Sequence, residues 1–365
     1  MLAYYGSKLP DFIKKNMPTF GTPQLKLLEK LCNVIAVSGG EGEVRKIVLE
    51  EIKPYADEVK VDALGNVLAV KRGRAAKHMK VMLDAHMDEV GFMIVADDGE
   101  GIYRFETVGG IDPRYLLGKQ VYVGKDRTPG VIGGKPVHLM DAGERTRKVA
   151  VDGLRIDLGP AGKAKIGDRA GFATKFRRAG PSILSKSIDD RIGVATVIEL
   201  LKHASSNIDV CAAFTVQEEI GLRGAKVAAQ YFNPDVAIAI DSTPANDLPH
   251  FDGDENITYN TKLGFGPAIY LADGSTLHDP RLVRFLQNIG DAGKIPYQLR
   301  QPGGGGTDSG AIQRALTGIP TVSVSAPHRY THSPISIARV EDWKNTLALL
   351  HAALKKITPE VIAKR

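Results

Sequence analysis

The feature that most constrains this chain is a change of texture along its length. Two blocks in which strand and helix patterns alternate are separated by about 85 residues with almost no helical period. In the first block, Thr22 and Pro23 read as a helix start, and Leu25, Leu28, Leu31, Cys32 and Ile35 follow at helical spacing. A second helix is expected from Glu43 to about Ile52, then strands over residues 59–61, 66–70 and 78–85. From about residue 91 to 176 the chain breaks into short β-type runs punctuated by glycine and proline, among them PRYLLGKQVYVG, TPGVIGGKP and GLRIDLGPAG. The alternation then resumes. Val194, Val197, Ile198 and Leu201 mark a helix, residues 209–216 and 235–240 are strands around a short helix near Ala225, and Leu282, Phe285, Leu286 and Ile289 mark another helix. Residues 320–325 form a strand, and Trp343, Leu347, Leu350 and Leu354 a final helix.

Strands that alternate with helices imply an α/β fold with a mainly parallel sheet sandwiched by helices. The interruption implies an inserted small β-barrel-like domain. We therefore expect residues 1–90 (with a leader at 1–22) and 179–365 to form one discontinuous domain, with residues 91–178 as the insert.

Composition narrows the class further. Apolar residues make up 43% and charged residues 25%, as in a globular chain with a sizeable core. The formal net charge is +6, but lysine and arginine lie in mixed-sign segments and form no dense basic face, so no nucleic-acid partner is expected. Lys8, Asp11, Lys14 and Lys15 interrupt any apolar run at the amino terminus, and no segment approaches the ~20 apolar residues of a membrane helix. We expect no membrane association and a cytoplasmic location. Cys32 and Cys211 sit in helical and strand patterns and read as buried thiols.

In open α/β sheets ligands bind beyond the carboxyl ends of the strands, so the residues there are the first candidates for a site. One strand delivers His86 and Asp88, the next Glu218 and Glu219, the next Asp241, and the last His328 and His332; Asp189 and Asp190 open a helix. Each has an ordinary reading when taken singly: a surface hydrogen-bonded pair, helix-capping residues, solvated charge. Together they place several carboxylates and two histidines on one sheet edge, where cations would relieve their repulsion, and mixed nitrogen and oxygen donors suit zinc, cobalt or manganese. The other histidines, at 78, 138, 203, 250, 278 and 351, have no matching partners and read as structural. The run GGGGTDSG at 303–310 lacks the Lys-Ser/Thr ending of a phosphate loop and reads as the flexible rim of a substrate pocket.

Seven stretches, in order, resemble the tetrahedral (TET-type) dinuclear metallo-aminopeptidases, a family that includes glutamyl and deblocking aminopeptidases and proteins labelled endoglucanase. They are AHMDEVGF at 85–92, GVIGGKPVHL at 130–139, SIDDRIG at 187–193, VQEEIGLRGA at 216–225, AIDSTP at 239–244, GGGTDSGAI at 304–312 and RYTHSP at 329–334. The resemblance runs from about Leu25 to Leu354 and implies a zinc-exopeptidase-like fold. It also implies two divalent ions, zinc or cobalt with manganese as the alternative. His86 and Asp241 would hold one ion, Glu219 and His332 the other, and Asp189 would bridge them. It leaves Glu218 as general base, sets Asp88 on the far nitrogen of His86, and implies a cis peptide between Asp189 and Asp190. The implied substrates are peptides with a free amino terminus, cleaved by a water that the two ions activate. The implied assembly is a dimer formed through the insert, with dimers associating into a tetrahedral dodecamer. The rival readings are a metal-dependent deacylase or carboxypeptidase on the same scaffold, a glycosidase using Glu218 and Glu219, and a binding protein without catalysis.

Overall fold

The computed structural model describes residues 20–74, 78–204, 207–245, 247–248, 261–301 and 303–363. The expected leader before residue 20 and His250 lie outside them. The chain opens with helices α1 (Thr22–Cys32) and α2 (Gly42–Ile52), then strands β1 (Glu58–Val61), β2 (Val67–Lys71) and β3 (Met79–His86). The stretch of altered texture forms β4 (Gly91–Gly99), β5 (Ile102–Val108), β6 (Gln120–Val123), β7 (Thr128–Gly134), β8 (Leu154–Asp157) and β9 (Arg169–Phe172), with a one-turn helix α3 (Ala142–Thr146) between β7 and β8. These six strands close into a barrel in the order β4-β5-β8-β7-β6-β9. It has its own core, in which Phe92 meets Phe105 and Phe172 edge-to-face with ring centroids 5.1 and 5.2 Å away.

The second block follows as β10 (Arg177–Ala179), β11 (Ser182–Ser185), α4 (Ile188–Lys202), β12 (Ile208–Thr215), α5 (Arg223–Phe232) and β13 (Val236–Pro244). Beyond it come β14 (Ala268–Tyr270), α6 (Pro280–Gly293), β15 (Gln298–Arg300), α7 (Ser309–Gln313), β16 (Thr321–Arg329), β17 (Ser336–Arg339) and α8 (Val340–Lys356). The main sheet runs β1-β2-β12-β3-β13-β16-β17-β11-β10, with β14 and β15 joined at β16. Its central strands β12, β3, β13 and β16 are parallel and almost wholly buried, as expected of a sheet covered on both faces.

Alternate residues of these strands feed different layers. Val210, Ala212 and Phe214 of β12 pack in the larger core with Leu28, Ile198, Leu286 and Trp343, while Cys211 and Ala213 face the smaller layer with Ala225, Ala228 and Ile312. Both cysteines are free and buried. The fold class read from the sequence holds, with one refinement: parallel order is limited to the four central strands and the short β14-β15 pair, and the pairs β1-β2, β2-β12, β16-β17, β11-β17 and β10-β11 are antiparallel. Three of these pairs, β1-β2, β10-β11 and β16-β17, join consecutive strands through loops too short for the crossover helix that parallel neighbours need. No described helix is long and apolar enough to cross a membrane.

Candidate metal centre

The carboxyl ends of β3, β12, β13 and β16 lie side by side, because Asp241 is in register with Ser325 and Thr215 with His86. That register brings the sequence candidates to one place. His86 Nε2 lies 3.1 Å from Asp189 Oδ1, 3.8 Å from Asp241 Oδ1 and 4.0 Å from Glu218 Oε2. His332 Nε2 lies 3.1 Å from Glu219 Oε2 and 3.5 Å from Asp189 Oδ2. Two donor groups result, His86–Asp189–Asp241 and Asp189–Glu219–His332, each with ligand atoms within 4.8 Å of one another. Asp189 is common to both. It reaches that position because α4 is kinked at its first turn: Asp189 and Asp190 leave helical backbone angles, and the bond between them is cis.

The electrostatics match the crowding. Burial raises the pKa of Asp241 well above the carboxylate range, and the neighbouring Asp189 charge adds to it. Asp189 goes the other way: burial opposes its ionisation, but His332 and His86 on either side hold it well below the usual value. Burial likewise opposes charge on His332, yet Asp189 and Glu219 outweigh it and push the imidazole up to about 11. Glu218 is raised strongly, first by burial and then by Asp308, Glu219 and Asp241. Two imidazoles cannot neutralise so many buried carboxylates, and Glu219 Oε1 is buried without a hydrogen-bond partner among the described residues. The donor set therefore fits a pair of hard-to-borderline divalent cations.

The supporting residues were largely invisible in the sequence. Asp88 faces the far nitrogen of His86, with Oδ1 3.5 Å from Nδ1. It is also a clamp: it accepts from Ser38 Oγ at 2.6 Å and from the backbone N–H groups of Glu218 and Glu219 at 3.0 and 3.2 Å. Behind it, buried Glu89 accepts from Lys186 Nζ at 2.6 Å and Arg191 Nη2 at 3.3 Å, and Arg191 also donates to the Met87 and Asp88 carbonyls. Asp308, at the end of the glycine run, accepts from Thr215 Oγ1 at 2.7 Å, and its charge adds to burial in raising the pKa of Asp84 well above the usual range. The spacing of Asp84 and His86 on one strand was the available signal, since alternate residues share a face. His328 is fully buried with Nε2 2.7 Å from Thr331 Oγ1, beside the centre and outside both donor groups. Arg223 is exposed at the rim, with Nη1 3.4 Å from Gln217 Oε1.

A family model described as M42 glutamyl aminopeptidase matches residues 65–349. The chain belongs to that family. The resemblance read from the motifs is thereby borne out: this M42 chain is a hydrolase of the exopeptidase type, an aminopeptidase, in a family of metallopeptidases. It is 33% identical over 348 residues to the lysyl aminopeptidase of Pyrococcus furiosus, covering 92% of this chain and 97% of the relative. An aminopeptidase from the archaeon Desulfurococcus kamchatkensis superposes with a TM-score of 0.87 at 35% identity, covering 93% of this chain and 97% of its own. The TET1 peptidase of Pyrococcus horikoshii, described as assembling into a tetrahedron or a large octahedral shell, superposes with a TM-score of 0.80 at 33% identity over 92% of this chain and 100% of its own.

Proposed function

We propose that this chain is a two-metal aminopeptidase that removes amino-terminal residues from peptides with a free α-amine. The observation that carries this reading is the pair of donor groups sharing Asp189, with the Glu218 carboxylate facing them. His86 and Asp241 would hold one divalent ion and Glu219 and His332 the other, with zinc or cobalt favoured by the mixed donors and manganese the alternative. Such a pair supplies Lewis acidity and a water acidic enough to attack near neutral pH.

The remaining work falls to the protein. Glu218, turned toward His86 Nε2 and raised in pKa by burial and by Asp308, takes the proton of the attacking water. It then delivers that proton to the nitrogen of the departing amine. Asp88 holds the Glu218–Glu219 backbone so that adjacent side chains divide between base and ligand. Glu218→Gln should lower kcat roughly 100- to 10,000-fold while metal content stays at the wild-type level. Equal loss of metal would make Glu218 a ligand instead.

In the same proposal, residues 1–90 and 179–365 form the catalytic unit and residues 91–178 the insert through which dimers form. A tetrahedral dodecamer is the expected assembly, supported by what is described for the P. horikoshii relative. The two free cysteines suit a cytoplasmic location.

A further inference from the structure

We infer that the inserted barrel is itself part of the metal centre: the loop Gly109–Gly110, leaving β5, fixes the tautomer and ring position of His332 and so sets the affinity of the outer pole. The inference rests on the proposed reading of His332 and Glu219 as ligands of one ion. The Gly110 carbonyl lies 2.8 Å from His332 Nδ1. A carbonyl can only accept, so Nδ1 keeps its proton, and it is the Nε2 proton, on the side of Glu219 and Asp189, that an arriving ion would displace to find a lone pair there. His332 needs such a support, because its backbone is held at φ +55°, a conformation few side-chain-bearing residues adopt unaided. It is also the more exposed of the two histidines, at 32% against 3% for His86.

Glycine serves the two loop positions for different reasons: the backbone requires it at 109, and at 110 it allows the close approach to His332. Gly109 has φ +86°, and a Cβ there would lie 2.7 Å from Val90 Cγ1 and 3.4 Å from the Glu219 Cβ. Gly110 has no such backbone demand, yet a Cβ would sit 3.3 Å from His332 Nδ1 and displace the ring. Both outer-pole ligands are thus walled by the barrel. The pole at His86 and Asp241 is built differently: Asp88, in the loop just beyond β3, faces His86 Nδ1, and the Asp241 carboxylate accepts from its neighbour Ser242 N at 2.6 Å. Disturbing the loop should therefore separate the two poles.

The test is calorimetric titration of chelator-stripped protein with zinc alone, with bound metal counted by emission spectroscopy. Wild type, Gly110→Ala, Gly110→Val and Gly99→Ala are compared, and sedimentation checks that assembly is unchanged. Gly99 lies in the same barrel at φ +89° with open space around its missing Cβ, so its alanine variant strains the barrel without touching His332. Expected is a 10- to 100-fold weaker second ion in both Gly110 variants, with the first ion within twofold of wild type and Gly99→Ala unchanged. The inference is overturned if both ions weaken together, if neither weakens, or if Gly99→Ala shows the same loss. A wild type that binds a single ion or none would overturn the two-metal reading itself, a distinct result.

Discussion

At the scale of single residues, the centre depends on side chains that touch no proposed ion. Asp88 is completely buried, and its two oxygens face three donors and the edge of the His86 ring. An amide in its place would turn an N–H toward one of those donors and leave it unsatisfied. We expect Asp88→Asn to lower kcat about 10- to 100-fold and to weaken metal retention, both read on the same preparation. His328 gives a pH prediction. Burial lowers its pKa to about 4, and Nδ1 has no partner among the described residues. The folded state therefore binds fewer protons than the unfolded state between about pH 6.5 and 4, so stability is full above that window and is lost as pH falls through it. On the order of 3 kcal/mol is at stake. Denaturant midpoints measured across that window should flatten in His328→Gln; an unchanged slope would remove His328 from the account. The proposed ligands and base stood out in the sequence because all of them end or follow a strand except Asp189, which opens a helix. The clamp on them was not, since Ser38, Lys186 and Gly110 come from segments that only the folded chain brings near.

At the scale of elements, periodicity located the helices and the central strands to within a few residues. It missed what depends on contacts between elements. The antiparallel flanks are short strands whose pairing no spacing announces, and the kink in α4 lies inside an otherwise regular helical pattern. A further example is Asn66, fully buried before β2. Its side chain accepts from Val216 N at 3.0 Å and donates to Gly224 O at 3.0 Å and Asp62 Oδ2 at 2.7 Å. These bonds pin the loop between β12 and α5 that carries Glu218 and Glu219. A Cβ on Gly224 would lie 2.3 Å from Asn66 Oδ1 and 2.6 Å from Val216 O. Gly224→Ala should thus cost about 3 kcal/mol and lower activity together with stability, read from the urea midpoint and kcat. A neutral result would mean that the loop is held elsewhere.

At the scale of the whole molecule, the barrel supplies both the Gly109–Gly110 loop and an apolar surface. Tyr115, Leu117, Val131, Val137 and Leu139 are exposed, Val137 to 66% and Leu139 to 61%. Surface of this kind on one module suits a face between copies of the chain. Sedimentation equilibrium should therefore return a multiple of the 39.3 kDa protomer, shifted downward by Val137→Glu with Leu139→Glu. A stable monomer at micromolar concentration would contradict the proposed assembly. The insert and its barrel-like character were visible as a break in texture, whereas its strand order and its contact with His332 emerge only in the folded chain.

The central claim is that paired ions and Glu218 remove residues bearing a free amine. The measurement that tests it most directly is chromophore release from aminoacyl-nitroanilides and their N-acetylated counterparts, using chelator-stripped protein with and without zinc, cobalt or manganese. Metal-restored cleavage of the free-amine substrates alone is the expected result. Metal-restored cleavage of the blocked substrates alone would make the chain a deacylase, and cleavage that needs no metal would contradict the account at its root.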